Sequence, residues 1–257
     1  MRGPLLLACV LSGALMLAGP LAQAVPYAAS GFVSDSVTVS GIWSSVNWYE
    51  SDGCYSGVGD PTVSDWKTRA QGADAIDIST SVSDTYGMAN SHLVVSAAGL
   101  HPSILIYSLS NVYGIPLGLG HWASAYSQGG ANWLTSGATQ TITYKVDYSY
   151  ALDLTQVNPE GPYAFAKIYV AFWGPSSNLM LSPDAEFVAE GNYLVKTVRI
   201  DTYGSQTGTV TGTKTWTLNV NASAYYSFWS MAWSEVFSKS TPIAAEPESW
   251  SMIKSLF

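Results

Sequence analysis

The chain has 257 residues, 47% of them hydrophobic and only 11% charged, with 10 basic against 18 acidic side chains and a formal net charge of −8. That balance speaks against nucleic acid as a partner, because phosphate binding needs a cationic face. With so few ions, the polar surface has to be built from hydroxyls.

Residues 1–24, MRGPLLLACVLSGALMLAGPLAQA, carry one basic residue (Arg2), an apolar run from Leu5 to about Ala18 and the small-residue pattern Ala22-Gln23-Ala24. They read as a secretory signal peptide cut by signal peptidase after Ala24. The apolar run is shorter than the roughly 20 residues of a spanning helix, and Leu6-Leu7-Ala8-Cys9 leaves too little apolar run ahead of it for a lipoprotein box. The mature chain then has nine basic residues, a formal charge of −9 and no transmembrane segment. Cys54 is its lone cysteine, so the fold must hold by core burial, without an intramolecular disulfide.

The next elements alternate with period two. FVSDSVTVS (32–40) reads as a strand, and the Ser-, Gly-, Asp- and Trp-rich stretch from Trp43 to Gly72 as a long loop excursion. DAIDISTSV (74–82), HLVVSAA (92–98) and SILIYSL (103–109) read as strands. The stretches carrying Trp122 and Trp133 look less regular. TITYKVDYSY (141–150) places Ile142, Tyr144, Val146, Tyr148 and Tyr150 on one face and Thr141, Thr143, Lys145, Asp147 and Ser149 on the other. AFAKIYVAFW (164–173) and NYLVKTVRI (192–200) follow, punctuated by NPEGP, GPSSN and YGSQTG. TWTLNVNA directs Trp216, Leu218, Val220 and Ala222 inward, and SAYYSFWSMAWSEV (223–236), apolar on both sides, suits a central strand. Many short strands without helical crossovers predict an all-β fold, a single antiparallel β-sandwich or jelly-roll-like domain over residues 25–240.

Motifs for chemistry are sparse. His92, His101 and His121 have no second ligand at a chelating spacing, and neither a GxSxG elbow nor an HExxH motif occurs. GLGH (118–121) lacks the rest of a phosphate-loop fingerprint. Cys54 reads as a loop thiol with no base to activate it. Glu50, Asp52, Asp60 and Asp65 sit among glycines, a set compatible with structural calcium; without an EF-hand or nonapeptide register they read as solvated turn acids, and no cofactor is expected. Paired carboxylates of a glycan-active enzyme are defined by separation in space, so that alternative stays open.

Sixteen Tyr and ten Trp are many. Tyr144, Tyr148, Trp216 and Trp229 fall at alternating positions that suit the core. Trp43, Trp48, Trp66, Trp122 and Trp133 fall in the less regular stretches, and Trp43, Trp48, Trp122 and Trp133 are the candidates for stacking on sugar faces as in a carbohydrate-binding module.

The tail AAEPESWSMI, within residues 241–257, resembles the start of the PEP-CTERM sorting signal, in which Val-Pro-Glu-Pro leads into an apolar helix and an Arg-rich end. Glu246 and Pro247 match the last two motif residues, Trp250 the aromatic that follows, and Met252 and Ile253 the helix start. Ala244 and Ala245 stand in place of Val-Pro, Lys254 interrupts the apolar run, and the helix and basic cluster do not follow, as in a truncated or degenerate signal. The resemblance implies export, a place in the cell envelope or extracellular polymer matrix, association with polysaccharide, and an exosortase partner if the full signal is present. The expectation is a non-catalytic surface or matrix β-sandwich, with a carbohydrate-binding module and a secreted glycan-active enzyme as alternatives.

Overall fold

A computed structural model describes residues 27–40, 43–57, 63–70, 76–96, 103–113, 120–135, 137–154 and 162–239. They form thirteen strands: β1 (Tyr27–Val39), β2 (Trp43–Gly57), β3 (Val63–Ala70), β4 (Ile76–Ser83), β5 (Gly87–Ser96), β6 (Ser103–Tyr113), β7 (Gly120–Thr135), β8 (Gln140–Asp153), β9 (Tyr163–Trp173), β10 (Val188–Glu190), β11 (Tyr193–Ile200), β12 (Val210–Val220) and β13 (Tyr225–Lys239). Along β2 and β3 the description covers the backbone alone. The leader, His101, Asp60 and the tail with Glu246, Pro247 and Trp250 lie outside the described residues.

Two antiparallel sheets pack face to face as the expected β-sandwich. One has six strands in the order β12-β8-β1-β6-β5-β4, the other seven in the order β10-β11-β9-β13-β7-β2-β3. β13 is the middle strand of the seven, as its two apolar sides suggest, and is hydrogen-bonded to β7 and β9 along nearly its whole length. Among the described residues no helix is long and apolar enough to cross a membrane.

The space between the sheets is filled differently along its width. Over β8 and β12 it holds rings: Tyr144 packs edge-on against Phe172, Trp216 and Phe228 with centroids 5.8 to 6.4 Å apart. The segment 174–187, between β9 and β10, inserts Leu181 and Phe187 there, and Trp216 Nε1 donates to Ser182 O at 2.9 Å. Under β5 and β6 the filling is aliphatic, with Leu93, Ile104 and Ile106 fully buried.

In the middle, where β1 and β6 face β13, the residues are small. Ser108 Oγ donates to Ala232 O, and Ser110 Oγ to Ser234 O, each at 2.8 Å. A serine reaches the backbone of the opposite sheet only where the layers approach more closely than the usual spacing of about 10 Å. Two glycines mark the same approach. A Cβ on Gly31 would lie 3.1 Å from Val236 Cγ1, and one on Gly129 would lie 3.0 Å from Leu93 Cδ1.

Several expectations are corrected. The excursion from Trp43 to Gly72 is largely the β2–β3 hairpin, and the stretches with Trp122 and Trp133 are parts of one 16-residue strand, β7. Ala222 is exposed in the turn after β12, where Ser223 adopts φ +51°. Trp229 is on the outer face of the seven-stranded sheet, where it packs against Tyr193 and Tyr169. The reason lies in the middle of β7 and β13: inward positions 123–129 and 230–234 carry Ala, Ser and Gly because the layers are close, so Trp229, Trp233 and Tyr126 fall on the outward parity, although Tyr226 and Phe228 of β13 are buried inward. The expected hydroxyl exterior describes the other sheet, where Thr143, Ser149, Thr211, Thr215 and Thr217 line the outside of β8 and β12.

Candidate ligand-binding face

The outward residues of β13 are Trp229, Met231, Trp233, Glu235 and Phe237, all half-buried, alternating with buried Phe228, Ser230, Ala232, Ser234 and Val236. The register brings neighbours alongside. Tyr126 and Lys167 flank Trp233, Gln128 and Tyr169 flank Met231, and Trp122 and Tyr163 flank Phe237. The result is a strip of rings running along β9 and β13 for about 33 Å, ten residues at the rise of a strand.

At one end Tyr193 from β11 contacts Trp229, Trp173 and Tyr169, with centroids 4.9, 5.6 and 6.4 Å away. Trp229 lies across Gly130, whose missing side chain makes room: a Cβ there would come 3.1 Å from Trp229 Cδ1 and 2.8 Å from the Phe228 carbonyl. At the other end Phe165, Tyr163 and Phe237 have nearly parallel planes, at 11° and 22°, and the Arg199 guanidinium lies 4.7 Å over Tyr163. Tyr163 also donates to Glu235 Oε1 at 2.7 Å. Burial, followed by that bond and the charge on Glu235, pushes the Tyr163 phenol above its ordinary value, so it stays a donor.

Between these ends is a shallow depression lined by Tyr126, Gln128, Met231 and Trp233, of about 260 Å³. Small-molecule sites usually enclose 300–1,000 Å³, so the shape suits one unit of an extended ligand lying on the sheet. Trp233 is held by its indole N–H, which donates to Ser124 Oγ at 2.9 Å, and by Phe165 edge-on at 4.9 Å. Lys167 stands over Trp233, Phe165 and Tyr169 with its Nζ 5.6 to 5.8 Å from the ring centroids, and donates to the Tyr169 hydroxyl at 3.4 Å. Apolar walls with polar tips are thus combined in one place.

No family model, curated protein or solved structure matches the chain.

Of the residues singled out from the sequence, Trp122 belongs to this face, opposite Phe237 at the β13 end of the strip. Trp133 is eleven positions away on β7, about 36 Å, and pairs with Tyr226 and Val46; Trp48 pairs with Ala131 and Trp43 with Thr135. The four do not form one cluster. Tyr126, Gln128, Lys167, Tyr169 and Trp233 were not singled out. The available signal was the alternation of rings with Ser and Ala along QGGANW-free parts of β7 (HWASAYSQ) and along β13 (FWSMAWSEVF), where the larger residue of each pair is the outward one.

The other candidate chemistry is dispersed. His92 Nε2 is 2.7 Å from Asp77 on the β4–β5 hairpin, and buried His121 is 3.1 Å from Asp84. Burial pushes the His121 imidazole below its ordinary value, while the charge and hydrogen bond of Asp84 oppose the shift. Asp84 also caps the hairpin turn by accepting from Tyr86 and Gly87 N–H. Among the described residues no three His, Cys, Asp or Glu side chains converge as a metal site. Of the acids considered for calcium, Glu50 and Asp52 are on β2 opposite Arg69 and Lys67, and Asp65 is on β3 opposite Cys54. Cross-strand register there pairs opposite charges, where a cation-binding loop was the alternative.

Proposed function

We propose that the chain is an exported, non-catalytic β-sandwich protein of the cell surface or extracellular matrix, and that it holds polysaccharide on the aromatic face of its seven-stranded sheet. One observation carries this reading: β13 turns Trp229 and Trp233 outward and Ser230 and Ser234 inward, and β7 beside it turns Trp122 and Tyr126 outward and Ser127 inward. Burying an apolar side chain is worth roughly 1.5–3 kcal/mol, part of which these rings forgo by standing half-exposed on the outer face. Rings kept half-exposed in a row suit a ligand that has flat apolar faces and hydroxyl edges. Sugar rings have both, and Gln128, Lys167 and the Tyr169 hydroxyl stand where such edges would fall. The acidic chain disfavours a nucleic-acid ligand, and the export signature at the N-terminus fits a polymer outside the cell.

The test is electrophoresis of the purified chain in native gels containing a panel of extracellular polysaccharides. Retardation is expected with at least one polymer, and Trp233→Ala and Trp229→Ala together should abolish it while urea unfolding shows a folded protein. If no polymer retards the wild type, or if the double variant is retarded equally, the reading is wrong. Turnover of a polysaccharide that is lost on changing one acidic residue would replace it with the enzymatic alternative.

A further inference from the structure

Resting on the polysaccharide reading, we infer that the polymer is acidic and that Lys167 pairs with its carboxylates. Lys145 pairs with Asp147 at 2.5 Å, Lys196 with Glu186 at 3.1 Å, Arg199 with Asp201 at 3.5 Å, and Lys214 with Asp184. Lys167 differs. Among the described residues no carboxylate pairs with it, although it occupies the middle of the strip. Glu235, the outward acid two residues along β13 from Trp233, accepts from the Tyr163 hydroxyl instead.

The ammonium is positioned without being neutralised. Phe165, Tyr169 and Trp233 surround it at distances where ring faces attract a cation within about 6 Å. A ring contact leaves the positive charge available to an anion. Lys167 is also the direct cross-strand partner of Trp233, the ring that walls the depression. A sugar stacked on Trp233 would keep its apolar C–H face on the indole and direct an equatorial carboxylate sideways, toward Nζ. A uronic acid unit has that group at its ring edge; a neutral hexose has a hydroxymethyl there, which gains less from a cation.

The net charge of −8 opposes an anionic ligand only weakly, because charges more than about 8 Å away are largely screened at physiological salt. At contact distance the local cation decides. A charge-assisted hydrogen bond contributes about 1.5–3 kcal/mol, which corresponds to about tenfold or more in affinity.

The experiment compares polygalacturonate with the same polymer after reduction of its carboxyl groups to alcohols, by titration calorimetry and by retardation in gels. The wild-type chain should prefer the acidic form by about tenfold. Lys167→Met should bring the ratio of the two affinities close to one, and Lys167→Arg should keep a preference for the acidic form. Trp233→Ala should lose both polymers. Equal affinity of the wild type for both, or a preference that survives Lys167→Met, overturns the acidic ligand but leaves the polysaccharide reading standing. Failure to bind either polymer, with the face instead buried in a self-association seen by sedimentation, overturns both.

Discussion

A carboxyl group sits in the middle of the sandwich, and its burial makes a measurable prediction about stability and pH. Asp35, on β1 between Ile106 of β6 and Tyr148 of β8, points into the gap between the layers and is 1% exposed. Its Oδ2 accepts from Ser230 Oγ on β13, while among the described residues Oδ1 has no hydrogen-bond partner. Burial pushes the carboxyl up from 3.8 to about 7, with the Ser230 bond opposing the shift. The nearby Tyr144 phenol is raised first by burial and then by the charge on Asp35. The folded state therefore holds the proton more tightly than the unfolded one. The stabilisation this provides is complete below pH 3.8, declines as pH rises and is gone above about 7. About three pH units at 1.36 kcal/mol each gives a loss of about 4 kcal/mol, large beside the 5–15 kcal/mol that separates most folded domains from unfolded chains. Asp35→Asn keeps an acceptor for Ser230 and cannot ionise. Urea unfolding of both proteins between about pH 4 and 8 should show the variant gaining on the wild type as pH rises. His121, whose lowered value supplies stability that is lost as pH falls below 6.5, is common to both proteins and cancels in the difference. A difference that stays flat across that range would refute the buried, protonated carboxyl.

The glycine beneath Trp229 gives a second test: Gly130→Ala must move the Phe228 carbonyl, 2.8 Å from the new Cβ, and should cost about 1–3 kcal/mol in urea unfolding. Gly137→Ala, with nothing within 4 Å, should stay within about 0.5 kcal/mol. The cross-layer pair Ser110 and Ser234, joined at 2.8 Å, should show a coupling of about 1 kcal/mol in a double-mutant cycle of alanine substitutions. Asp184 is held down at about 2 by Lys214 first and by the Phe187 and Glu186 N–H groups next; in Lys214→Met, carboxyl NMR titration should find it higher, but still below 3.8 because the backbone donors remain.

Most strands were legible where size and polarity alternate together. In β8 the apolar member of each pair, Ile142, Tyr144, Val146 and Tyr148, is also the buried one, and a period of two locates such a strand at once. β2 and β7 were illegible for the opposite reason. In β7 the inward residues are His121, Ala123, Ala125, Ser127 and Gly129, too small and too polar to register as a core stripe. Their Gly and Ser content imitates a loop. Trp229 misleads in the same way, since hydrophobicity alone assigns it to the interior that Ser230 in fact occupies. Asp35 was unreadable because FVSDSVTVS places it on the same parity as Val33 and Val37, and nothing local announces a buried acid.

These exceptions have one physical origin. Close layers admit only small side chains, and a serine that reaches across to a carbonyl replaces apolar contact with a hydrogen bond, worth roughly 1 kcal/mol net. With inward positions 230–234 of β13 and 123–129 of β7 committed in this way, the large residues between them, Met231, Trp233, Tyr126 and Gln128, are outward. On the opposite sheet, β8 and β12 keep large residues inside and threonines outside. The two exteriors are therefore unlike by construction, one hydroxylated and one aromatic, and a molecule lying against a polymer through its rings would turn the hydroxylated face to water. The same close packing that hides Asp35 thus sets which face of the sandwich carries the rings.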